Sequence, residues 1–191
     1  MSQRHEAEAE AADDAMLDAA RACVLAVGVR RTTFSDVARR AGVSRMTLYR
    51  RFPDLEGLLS ALMTREFGRV VQEARATAGD AATCRERVVA MTRRAAERLP
   101  ADPLFRRLLD VDPELLLPYV TVRLGGMQRM AVTGVAAELA AGAGDGSVRP
   151  GDPAVMAGAI ELMARGFVLA NEPGLDPWPE LARAVDGYLK P

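Results

Sequence analysis

Between Ser44 and Arg51 the chain reads Ser-Arg-Met-Thr-Leu-Tyr-Arg-Arg, which places three guanidinium groups beside hydroxyls, a phenol and a thioether. No histidine stands near to activate any of them as a nucleophile. The set suits recognition instead. A guanidinium can fork onto the O6 and N7 of guanine. Hydroxyls and a phenol can hydrogen-bond phosphate oxygens, and a helix N-terminus offers its free backbone N–H groups to the same oxygens. With about 100° between successive residues of a helix and Leu48 turned to a core, Met46 and Arg50 point away from that core. Thr47 and Tyr49 then flank them, Phe52 returns to the core side, and Arg45 projects from the first turn. The competing reading is a helical hairpin with a solvated arginine face.

The elements around this stretch must aim it. Ser44 can cap a helix running to about Phe52. Upstream, Thr33 and Asp36 have capping-box spacing, with Thr33 as N-cap and Asp36 reaching back. Val37, Ala38 and Ala41 give that short helix an apolar side, and Gly42 supplies the left-handed turn after it. Two short helices joined by a glycine turn form a helix-turn-helix, whose second helix can enter the DNA major groove. A first helix is expected from Asp13, capped by Asp13 or Asp14, with Met16, Ala19, Ala20, Cys23 and Val27 on one face and Gly28 at its end. Residues 1–12 are polar and acidic and are expected to be a disordered tail. After Pro53 and Asp54, the leucines 55, 58, 59 and 62 and then Phe67, Val70, Val71 and Ala74 carry a long connector helix over about 54–76.

Charge sharpens the question. The chain of 191 residues has a net charge of −1, yet from Arg21 to Arg51 eight arginines face a single acid, Asp36. That block is +7 and the remainder −8. A basic block on an otherwise acidic chain points to a localised anionic partner. Chance clustering on a solvated face is the alternative.

Residues 32–59, "TTFSDVARRAGVSRMTLYRRFPDLEGLL", resemble the signature of TetR-family transcriptional regulators. Val37-Ala38, Ala41 to Ser44, Thr47 to Tyr49, Phe52 and Leu58-Leu59 carry the likeness. The resemblance implies DNA contacts from Thr33, Arg45, Met46, Thr47, Tyr49, Arg50 and Arg51, with Ser44 either a contact or a cap. Two positions depart from the family pattern. Met46 stands where a small residue is common, so close approach to a base gives way to contact with a thymine methyl. Leu55 stands where a phosphate-gripping lysine is common.

Beyond Gly79 the pattern stays helical, with helices expected at about 83–99, 103–110, 113–141, 152–170 and 177–189. No alternating strand pattern of convincing length occurs, so the fold class is all-α. The expected layout is a three-helix DNA-binding domain with its helix-turn-helix over 13–59, followed by a larger helical domain over 60–191. In the resembled family that larger part holds a ligand pocket and a dimer interface. Met156, Ala159, Ile160, Met163, Phe167 and Ala170 form one apolar stripe, and Leu181, Val185 and Tyr188 another. Met156, Ile160, Met163, Leu181, Val185 and Tyr188 are therefore the candidate interface of a homodimer, the alternative being that both stripes pack inward. Pocket candidates are Met91, Phe105, Leu108, Tyr119, Met127 and Phe167, for which ordinary core packing is the competing role. Arg94 and Arg123 could meet an acidic ligand group or lie on solvated faces.

Other classes have less behind them. The sole histidine, His5, lies in the tail, and no metal-ligand spacing or Gly-rich phosphate loop is present, so neither an enzyme nor a cofactor is expected. Cys23 and Cys84 form no disulfide or zinc framework. The most apolar long stretch, 154–170, is interrupted by Glu161 and Arg165 and is no membrane span, so the expected location is cytoplasmic. A helical interaction module that binds no DNA remains a rival. The reading carried forward is a homodimeric regulator of double-stranded DNA, a repressor of a pseudo-palindromic operator released by a small apolar or amphipathic effector, with an activator of the same fold as the alternative.

Overall fold

The computed structural model of the protein describes residues 2–115, 124–142, 144–169 and 174–191. All regular structure among them is helical: α1 (Ser2–Val27), α2 (Phe34–Ala41), α3 (Arg45–Arg51), α4 (Leu55–Thr77), α5 (Cys84–Arg98), α6 (Pro103–Val111), α7 (Gly126–Ala141), α8 (Pro153–Leu169) and α9 (Trp178–Leu189). Two short 3-10 turns, Leu99–Ala101 and Pro113–Leu115, flank α6. No helix of the described residues is long and apolar enough to cross a membrane.

The chain divides differently from the linear split at residue 59. One compact unit comprises Met1–Arg65 and Pro103–Arg123, and the other comprises Glu66–Asp102 and Leu124–Pro191. Helix α4 is continuous from the first unit into the second. The chain then returns through α6, which packs on α1. Sequence periodicity carries no trace of this return, because an amphipathic helix does not encode which neighbour it will cover.

In the first unit α1 begins at Ser2, where a disordered tail over 1–12 was expected. The added segment is rich in alanine and glutamate, which favour helix, and contains no glycine or proline. Asp13 and Asp14 consequently lie within the helix rather than at its cap, and they serve as anchors. Arg65, only 13% exposed, bonds Asp14 at 3.0 Å and Asp18 at 2.7 Å, fastening α4 to α1. The opposite face of α1 is core: Ala20 and Val24 are fully buried, and Met16, Leu17, Ala19 and Cys23 nearly so.

In the second unit α5 packs against α7, α8 and α9. Its N-terminus is closed by a capping box: Thr83 accepts the Glu86 N–H, and Glu86 accepts the Thr83 N–H. A distant carboxylate joins it. Asp145 Oδ2 accepts the Cys84 N–H at 2.7 Å and its Oδ1 the Ser147 N–H at 2.8 Å. The Ser147 hydroxyl foremost, and then these two backbone bonds, draw the Asp145 carboxyl down to about 2 from the ordinary 3.8. A carboxyl lowered on folding stabilises the fold above its unfolded value and loses that contribution as pH falls through the folded one. Asp145→Ala is therefore expected to lower the thermal unfolding midpoint at neutral pH. Its deficit against wild type should shrink as pH drops from about 4 toward about 2, which melting curves across that range will check.

Two expectations for this unit change. Within the expected helix over 113–141, Pro113–Leu115 is a 3-10 turn and α7 occupies Gly126–Ala141 with Gly125 as its N-cap, while 116–123 lie outside the described residues, as do Ala170, Tyr119 and Arg123. The candidate dimer residues Met156, Ile160, Leu181 and Val185 are at most 3% exposed and form the core of the single chain. Met163 is half-buried, and so is Tyr188, whose ring lies under the Arg149 guanidinium at 4.4 Å. Helix α8 is apolar on both faces, so its period could not say which face turns inward. The face left open carries Val155 and Leu162, 67% and 59% exposed.

The pocket candidates also separate. Met91 is buried, and Met127 and Phe167 are half-buried, in the second unit. Phe105 and Leu108 are buried on α6 in the first. Arg94 donates to the Thr77 carbonyl at 3.2 Å, at the end of α4.

Candidate nucleic-acid interface

Helices α2 and α3 are too short to persist alone, so caps and tertiary burial must hold them. Thr33, in extended conformation, accepts the Asp36 N–H at 3.2 Å and begins α2. Asp36 reaches back as the spacing predicts, but to the Thr33 hydroxyl at 2.6 Å. That hydroxyl, and after it Arg39, hold the Asp36 carboxyl below the usual carboxylate range. At the other end Gly42 adopts φ 68°, ψ 25°, a left-handed conformation costly to a residue with a Cβ. The Val43 N–H then bonds the Ala38 carbonyl at 3.0 Å and the Gly42 N–H the Arg39 carbonyl at 3.3 Å, the paired bonds of a Schellman motif. The turn leads directly to Ser44, whose Oγ accepts the Thr47 N–H at 3.0 Å and lies 2.8 Å from the Thr47 hydroxyl. Ser44 is thus the cap of α3.

Leu48 is fully buried and Phe52 nearly so, as the helical arithmetic predicts. Truncating a buried leucine to alanine costs roughly 2–5 kcal/mol, so Leu48 is the main anchor of a helix this short. The opposite face is open: Met46 is 74% exposed and Tyr49 44%. One contact was not visible in the sequence. The Tyr49 ring stacks on Phe34, centroids 4.5 Å apart and planes at 29°. Phe34 belongs to α2, and no local spacing announces a pairing between helices.

The basic block resolves into committed and free charges. Arg39 pairs with Asp36 at 2.9 Å, and Arg30 with Asp112 and Glu114. Arg51, expected to face DNA, instead forks onto Asp13 of α1 through both Nε and NH2, and the bond raises its pKa. It braces α3 against α1. Arg31, Arg40, Arg45 and Arg50 are exposed and have no carboxylate partner among the described residues. Arg45 and Arg50 share α3 with Met46 and Thr47, so their positive charge stands beside a thioether and a hydroxyl on one surface.

Tyr49→Phe should leave the Phe34 stack in place and remove only the hydroxyl. The expected result is an affinity loss of similar size for every duplex sequence, with wild-type binding falling steeply as salt rises. Titrations of several duplexes at two salt concentrations will check both.

Comparison with known proteins agrees with this geometry. Residues 16–62 match the family described as bacterial regulatory proteins, tetR family. The chain is 35% identical over 180 residues to an HTH-type transcriptional regulator of Mycobacterium bovis, covering 91% of this chain and 92% of that one. The TetR-family transcriptional repressor QsdR of R. erythropolis superposes with a TM-score of 0.72 at 18% identity, over 94% of this chain and 95% of that one. FadR from Bacillus subtilis, solved in complex with stearoyl-CoA, gives a TM-score of 0.65 at 16% identity, over 92% and 98%. At these identities the two structures speak to fold alone.

Proposed function

Since the chain belongs to the tetR family of bacterial regulatory proteins, we propose that it is a homodimeric repressor that binds a pseudo-palindromic operator and is released by an apolar or amphipathic small molecule. The observation that carries the DNA-binding part is the open face of α3. There Arg45 and Arg50, without a carboxylate partner among the described residues, flank Met46 on a helix capped by Ser44 and anchored by Leu48. Arg45 reads a base edge, Met46 meets a thymine methyl, and Tyr49 and Thr47 grip phosphate. Selection of bound duplexes from a random pool tests this. A two-fold symmetric motif is expected, and a pool that enriches no sequence rejects the reading.

One helix-turn-helix contacts too few base pairs for strong discrimination, so a second copy is part of the proposal. The open face of α8, with Val155 and Leu162 exposed and Gly158 and Ala159 between them, supports a two-fold interface there. Ala184 and Gly187, exposed on α9, are small enough to let a partner's backbone approach. For the effector, Met91, Met127 and Phe167 supply adaptable apolar surface in the second unit. The B. subtilis neighbour was solved with stearoyl-CoA, which makes a long-chain acyl-CoA the first probe. Releasing DNA a hundredfold requires about 2.7 kcal/mol of differential binding, and by linkage the effector must then bind the DNA complex less tightly by the same factor. Thermal-shift hits carried into a DNA-release titration test this. Ligands that bind yet leave duplex affinity unchanged argue against the coupling.

A further inference from the structure

Asp112 is a carboxylate only 1% exposed, and no role in reading DNA accounts for it. It ends α6, with its own N–H donating to the Leu108 carbonyl at 3.1 Å. A negative charge at that end opposes the helix dipole, so α6 gains nothing from it. The partners of the carboxylate lie elsewhere. Its Oδ2 accepts the Val29 N–H at 2.8 Å, across a sequence separation of 83 residues. Its Oδ1 lies 3.7 Å from Arg30 Nε, and the same guanidinium reaches Glu114.

The turn between α1 and α2 is shaped to receive it. Gly28 has φ +83°, and a Cβ there would stand 3.2 Å from Asp112 Oδ2 and 3.3 Å from Val111 Cγ1. The missing side chain thus permits both the left-handed turn and the close approach of the carboxylate. Thr32, also buried, closes the turn by donating its hydroxyl to the Gly28 carbonyl at 2.8 Å. Thr33, the next residue, is the cap of α2. Asp112 is therefore joined to the start of the helix-turn-helix through the Val29 N–H, the Arg30 guanidinium and the Thr32 bond that closes the turn. Without it the buried Val29 N–H has no acceptor among the described residues.

We propose that Asp112 is a positioning residue that clasps the α1–α2 turn to α6 and so fixes where α2 and α3 stand. This rests on the reading of the protein as a DNA-binding regulator. The chain enters α6 directly from the second unit at Pro103, so a rearrangement there has a covalent route to Asp112.

The test compares Asp112→Ala, which removes the acceptor, with Asp112→Asn, which offers its amide oxygen to the same N–H. Spin labels at Arg40→Cys on α2 and Asp110→Cys on α6, both exposed, report the distance across the clasp without DNA. Wild type and Asp112→Asn should give one narrow distance, and Asp112→Ala a broad distribution. Affinity for the selected duplex should fall about tenfold in Asp112→Ala, within the usual range of coupling between sites, and return nearly to wild type in Asp112→Asn. An alanine variant with a narrow distance and wild-type affinity overturns the proposal. Should Asp112→Ala fail to fold, hydrogen exchange in wild type decides. The Val29 amide should exchange as slowly as that of Val24, and exchange at the rate of an open turn overturns the clasp. If wild type selects no duplex, the DNA-binding reading fails, while the label distances and Val29 exchange still judge the clasp.

Discussion

Leu162→Glu should leave the protein folded and make it monomeric. Leu162 is 59% exposed in the single chain, so a carboxylate there is harmless to the fold. In a two-fold interface the same carboxylate would lose its water and face its own copy, a cost no partner offsets. A monomer holds one half-site, and losing the second contact costs about 10²–10⁴ in affinity, the usual gain from bivalency. Ile160→Glu provides the contrast. Ile160 is 1% exposed within the chain, so its substitution should cost folding itself. Sedimentation at micromolar concentration, melting curves and duplex titration separate the two variants. A Leu162→Glu protein that still sediments as a dimer would move the interface off this face of α8.

Arg45→Ala should lose discrimination at one base pair in each half-site, at about 1–3 kcal/mol per contact. The proposed dimer would present Arg45 twice, so both half-sites would lose it. Repeating the duplex selection with this variant should return the same motif with one symmetric pair of positions degenerate. Tyr49→Phe should instead return the motif unchanged at lower affinity. Unchanged preference and affinity in Arg45→Ala would show that Arg45 reads no base.

Much of the helix-turn-helix was legible because its determinants are local. Thr33, Gly42, Ser44 and Leu48 act within a few residues of themselves, as cap, left-handed turn, cap and anchor, and the structure uses each that way. What was missed is tertiary. Arg51 looks like its neighbours on α3 until Asp13 is brought beside it. Phe34 acquires its role only when Tyr49 is laid on it. On α8 both faces are apolar, so the period could not tell that Met156 and Ile160 turn into the core of the single chain while Met163 is half-buried. At the N-terminus the difference has another cause: a polar acidic composition suggests disorder, but alternating alanine and glutamate also favours helix.

The return of the chain through α6 bears on how such proteins can be cut and recombined. The DNA-binding unit is not a detachable head, since Pro103–Arg123 belongs to it as much as Met1–Arg65 does. A fragment ending at Arg65, or a hybrid joined there to another effector-binding half, leaves the α6 side of α1 without its native cover. The inherited replacement for α6 must then fit both α1 and the turn at Gly28. Exchange of reading heads between regulators of this build is thereby restricted to partners whose returning helix matches, and a single crossover cannot carry the whole unit.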